Sequence, residues 1–100
     1  MARLDHALSV LRANADELRR RGVVHAGIFG SVARGDDTDS SDVDVAVEFD
    51  PAVRIGLFQM AAIENYLASL LNDTIDLTER HPDLKPRLLA EMRRDCVDAF

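Results

Sequence analysis

Residues 42–49 read Asp-Val-Asp-Val-Ala-Val-Glu-Phe. Such strict alternation is what a β-strand demands, because successive side chains of a strand point to opposite faces. Val43, Val45, Val47 and Phe49 form one face and need burial; Asp42, Asp44, Ala46 and Glu48 form the other. A chain containing this segment is therefore driven to build a sheet with one face against a core. On the opposite face it must carry two like charges, Asp42 and Asp44, about 7 Å apart by the strand rise. That pair repels itself, and burial worsens the repulsion. A divalent cation removes the conflict. Hard oxygen ligands suit Mg²⁺, which takes one or two protein carboxylates and completes its shell with water and phosphate oxygens.

The rest of the chain supplies the partners of that strand. Leu4, Ala7, Leu8, Leu11, Ala15 and Leu18 follow helical spacing, so a helix is expected over residues 3–21, stopped by Gly22. Residues 23–29 are short, β-branched and apolar, and read as a buried strand. Residues 30–41, rich in Gly, Ser and Asp, read as a helical turn followed by a loop. A helix apolar around most of its circumference is expected over 54–71, buried on one side and facing a partner on the other. Residues 74–78 read as a third strand, with Thr74, Asp76 and Thr78 on one face. A final helix is expected from about residue 83 to the end, carrying Cys96 half-buried. The order predicts a single domain over residues 1–100 of the α+β, sandwich-like class, with a three-stranded sheet packed by helices.

Chemistry concentrates around Gly30-Ser31-Val32-Ala33-Arg34-Gly35 and Ser41-Asp42-Val43-Asp44. Gly30 ends a buried strand and, lacking a Cβ, allows close backbone approach to a ligand. Ser31 offers a hydroxyl and a backbone N–H at the start of a helical turn, where anions are favoured. Arg34, one turn on, reaches a phosphate with a bidentate fork. Asp76 on the third strand can share a face with Asp42 and Asp44 and complete a two-metal site. Taken alone, Gly30-Ser31 is a plain turn, the Asp-x-Asp pair an exposed strand face and Asp76 a surface acid. Their order along one short chain favours the functional reading. His6, His25 and His81 read as an exposed helix residue, a core or edge histidine and a turn cap.

Charge narrows the partners. The net charge of −6 is uneven: residues 36–50 hold seven acids and no base, whereas residues 80–94 hold five bases against two acids. An acidic chain is a poor non-specific ligand for nucleic acid, so direct DNA binding is not expected. No apolar run approaches the length of a membrane span, the first residues do not open a signal peptide, and one cysteine suits a reducing compartment; a cytoplasmic protein is expected.

Gly30-Ser31, ten residues and then Asp42-x-Asp44 resembles the signature of the DNA polymerase β-like nucleotidyltransferases. The fuller string Gly-Ser-x-Ala-Arg-Gly…Ser-Asp-x-Asp resembles their minimal, MNT-type form, and the likeness runs over nearly the whole chain. It implies the small nucleotidyltransferase fold with a short mixed β-sheet. It implies Mg²⁺-dependent transfer of AMP from ATP, with pyrophosphate released. It carries catalytic and metal roles, with two ions, onto Asp42, Asp44 and Asp76. Triphosphate contacts fall on Gly30, Ser31, Arg34 and Ser41. Minimal members are often antitoxins that adenylylate a HEPN-type RNase toxin, so such a toxin is the expected partner. The alternatives are an antitoxin that acts by binding alone and a nucleotidyltransferase acting on a small molecule. The apolar helix over 54–71, rimmed by Arg87, Arg93 and Arg94, is the expected partner surface.

Overall fold

The computed structural model describes residues 2–100. In chain order the elements are α1 (Arg3–Ala13), α2 (Ala15–Arg20), β1 (Val23–Phe29), α3 (Gly30–Arg34), β2 (Val43–Phe49), α4 (Leu57–Leu71), β3 (Ile75–Glu79), α5 (Pro86–Asp95) and β4 (Val97–Asp98). They form a four-stranded mixed sheet in the order β3-β2-β1-β4. β1 and β2 are antiparallel, β1 and β4 are antiparallel, and β2 and β3 are parallel through α4. The fold is of the expected small α+β class, with helices on both faces of a short mixed sheet.

The alternation of β2 divides the molecule. Val43, Val45 and Val47 pack with Ala26 and Ile28 of β1, Leu8 and Leu11 of α1, and Ile63, Leu67 and Leu71 of α4 in the main core. The opposite face holds a smaller cluster of Phe29, Ala46 and Met92, closed by Leu84, Leu88 and Cys96 of the C-terminal region. The acidic side chains of β2 therefore share their face with α5.

Several boundaries differ from the expectation. The first helix breaks at Asn14, whose backbone leaves helical geometry at φ −110°, ψ 16° and whose side-chain amide donates back to Val10 O at 2.8 Å. Asn competes with the helical ladder through such local bonds. The apolar helix starts at Leu57 rather than residue 54: Gly56 is extended, and its N–H donates to Gln59 Oε1 at 2.9 Å. The last helix ends at Asp95, and β4 follows as a fourth strand where three were expected. Gly27 makes room for it, since a Cβ there would lie 2.8 Å from both Cys96 Sγ and Val97 O. Ala99 N donates to Ala26 O at 2.8 Å beyond the paired residues. Cys96 is half-buried but lies just past the helix rather than within it.

The expected partner surface is also revised. Leu57 and Phe58 are each 89 % exposed, so α4 does leave apolar side chains uncovered. Arg87, Arg93 and Arg94 stand on α5, across the sheet, and do not rim that patch.

Candidate active site

The site is built where β1 ends and β2 and β3 begin. Phe29 of β1 pairs with Asp44, and Asp44 pairs in parallel register with Asp76. Residues in register project from the same face, so Asp44 and Asp76 stand side by side. Asp42 lies one residue before the first residue of β2 and is exposed. The strand thus starts at Val43, one residue later than the alternation indicated.

Gly30 closes the arrangement from above. It opens α3 with φ +73°, a left-handed conformation that L side chains rarely adopt. A Cβ built there would overlap the Asp44 carboxylate and lie 3.1 Å from its Cγ. Backbone and carboxylate approach each other as closely as glycine permits. Ser31 follows, half-buried, and Gly35 ends the turn with φ +82°, its N–H donating to Ser31 O at 2.9 Å.

The electrostatics follow from this crowding. The Asp44 carboxyl is pushed up from 3.8 to about 6, first by burial and then by the charges of Asp76, Asp42 and Glu91, while Arg34 pulls the other way. Asp44 is the carboxylate that most needs a cation. Among the described residues, no three His, Cys, Asp or Glu side chains converge tightly enough to enclose a metal ion. Asp42 and Asp76 both lie near enough to Asp44 for their charges to raise its carboxyl. Their hard oxygens fit Mg²⁺, which leaves several positions to water and substrate phosphates rather than occupying an all-protein cage.

Arg34 lies at the lip. Its Nε donates to Asp36 Oδ2 at 3.1 Å, its Nη1 donates to Asp95 Oδ2 at 3.0 Å, and Glu91 lies 3.6 Å away. The Asp95 carboxyl is held down at about 2, by the hydrogen bond from Arg94 first and from Arg34 also. Arg34, Arg87, Glu91 and Arg94 line an open pocket of about 420 Å³. Sequence reading did not select Glu91 and Asp95; their spacing of one helical turn, placing both on one face of α5, is the signal that could have found them. The Ser41 hydroxyl accepts from Thr38 N at 2.9 Å. In this state it stabilises the loop that delivers Asp42. His25 is exposed at the sheet surface, 4.0 Å from Glu48, and stands apart from the carboxylates.

A family model described as "Nucleotidyltransferase domain" matches residues 11–98. Protein adenylyltransferase MntA of Thermococcus cleftensis is 36 % identical over 98 residues, which is 97 % of this chain and 96 % of that protein. A solved structure described as a candidate minimal nucleotidyltransferase superimposes with a TM-score of 0.70 at 32 % identity, covering 90 % of this chain and 93 % of that one. The complex of tri-AMPylated Shewanella oneidensis HEPN toxin with MNT antitoxin matches with a TM-score of 0.64 at 18 % identity, over 93 % of this chain and 71 % of that chain. At that identity the likeness is one of fold.

Proposed function

This chain belongs to the nucleotidyltransferase domain family, and from that premise we propose that it transfers AMP from ATP to a hydroxyl of a partner protein, acting as the antitoxin of a HEPN-type toxin in the cytoplasm. The observation that carries the reading is the register of Asp44 with Asp76 directly beneath Gly30, where a Cβ has no room. A carboxylate crowded against a glycine backbone, with a second in register beside it, suits a triphosphate with its counter-ions. Such a pair does not suit a surface that merely adheres to a partner.

Asp42, Asp44 and Asp76 are the residues that would hold Mg²⁺, and the bound ions would supply charge neutralisation of the triphosphate and polarisation of the acceptor hydroxyl. Gly30 and Ser31 present backbone and hydroxyl to the phosphates. Arg34, bonded to two separate carboxylates, would turn to the triphosphate as charge arrives, where its guanidinium can form a bidentate pair. The acceptor oxygen attacks the α-phosphorus, the bond from that phosphorus to the β-bridging oxygen breaks, and pyrophosphate departs. Asp76 is exposed, so it can meet an incoming hydroxyl and take its proton.

The acceptor comes from outside. A relative named as a protein adenylyltransferase and a fold match seen bound to an AMPylated toxin support a protein acceptor. Tyrosine is the hydroxyl we assign, on resemblance. The test is incubation of the pure protein with α-labelled ATP, Mg²⁺ and a HEPN-type toxin: label on that toxin is expected, and its absence refutes the reading.

A further inference from the structure

The structure assigns to Arg3 the role of a positioning residue for Asp42 and Asp76; this rests on the metal-dependent reading above. Arg3 stands in the first turn of α1, yet its guanidinium contacts two distant loops. Nη1 donates to Asp37 Oδ2 at 3.0 Å and to Thr38 O at 2.9 Å. Nη2 donates to Ser41 O at 2.7 Å and to Asp73 Oδ2 at 2.8 Å, and Nε donates to the same Asp73 oxygen at 3.3 Å. Its side chain is 27 % exposed, so these bonds are partly shielded from water.

The placement of those acceptors matters more than their number. Ser41 O belongs to the peptide that joins Ser41 to Asp42. Asp73 lies three residues before Asp76, in the turn that leads from α4 into β3. A backbone bond from Val43 N to Thr74 O at 2.9 Å ties the same two loops together just downstream. One cation therefore fixes both chain segments immediately before they deliver their carboxylates.

Electrostatics gives the clamp its purpose. Asp36, Asp37 and Asp39 stand in the loop that leads into Asp42 and Asp44, and like charges so gathered push the loop outward. Arg3 opposes that push at Asp37 and Asp73 from outside the carboxylate cluster. A lysine cannot replace it, because a point-charge ammonium cannot bond Ser41 O and both carboxylates in the fixed geometry of a guanidinium. Removing residues that orient metal ligands from behind typically costs about 10–100-fold in metal affinity or activity.

The experiment compares wild type, Arg3→Met and Arg3→Lys. Calorimetry measures Mn²⁺ binding in the presence of an ATP analogue with a methylene α,β bridge, and hydrogen exchange follows the amides of Thr38, Ser41 and Val43. The Mn²⁺ dissociation constant is expected to rise about 10–100-fold in Arg3→Met and less in Arg3→Lys. Those amides are expected to exchange faster, and saturating Mn²⁺ should return kcat to within about threefold of wild type. General damage to the fold would depress kcat at every Mn²⁺ concentration, and that result overturns the proposal. So do wild-type affinity and exchange in Arg3→Met. If Arg3→Met does not fold, Asp37→Asn carries the same test, since it removes one anchor and leaves the Arg3–Asp73 pair. Faster exchange and weaker Mn²⁺ binding in it support the proposal; neither change overturns it. A wild-type chain that binds neither Mn²⁺ nor the analogue refutes nucleotidyl transfer itself and this role with it. Normal wild-type binding with unperturbed variants refutes the role of Arg3 alone.

Discussion

Asp44→Asn is expected to stabilise the metal-free protein, and to do so more at high pH than at low. The native carboxyl is raised from 3.8 to about 6, so the folded state holds a proton that the unfolded chain has released. Stability from this group is therefore highest in acid and is lost as pH rises from about 4 through about 6. The rise from 3.8 to about 6 corresponds to about 3 kcal/mol against the fold above pH 7 at full strength. Water reaches the open side of the site, and screening reduces this to about 1–1.5 kcal/mol. Asparagine keeps the shape beneath Gly30 and removes the charge. At about 4–8 °C per kcal/mol for a domain of this size, Tm at pH 8 in chelator should rise by about 4–12 °C, and the gain should shrink towards pH 4.5. Thermal melts followed by circular dichroism across that range provide the assay. A gain independent of pH, or a loss of Tm at pH 8, would refute the argument that Asp44 is an ionised group held in an unfavourable place.

Other consequences are as direct. Gly30→Ala should cost at least about 2 kcal/mol in urea denaturation, because positive φ and the overlap with Asp44 add. Ser31→Ala and Arg34→Ala should each weaken binding of a non-hydrolysable ATP analogue by about 1–3 kcal/mol, measured by calorimetry in Mg²⁺. Phe58→Ser should leave stability within about 0.5 kcal/mol of wild type because the ring is exposed. Leu67→Ala, in the core, should cost about 2–5 kcal/mol by the same denaturation measurement.

The strands and the glycine turn were legible because each rests on local signals. The alternation of Val43, Val45 and Val47 survives intact, and the placement of Gly30 follows from its lack of a Cβ. β4 was not legible: Val97 and Asp98 have no alternation long enough to register, and they pair because Gly27 lets the chain approach β1. The break at Asn14 is hidden for a similar reason, since Leu11, Ala15 and Leu18 keep helical spacing across it. Asp44 and Asp76 could be placed on one face from sequence, whereas their register depends on how α4 returns the chain. Arg3 gives no local signal at all, because every acceptor it reaches lies at least 34 residues away. The arginine rim around α4 failed because sequence order does not say which face of a sheet a later helix covers.

The central claim is tested most directly by intact-mass analysis of a HEPN-type toxin, the proposed partner, after co-expression with this chain. The account predicts that the partner's mass increases by one or more AMP units with wild type and by none with Asp44→Asn. A partner that co-purifies at its unmodified mass, and is neutralised equally well by wild type and Asp44→Asn, would contradict it.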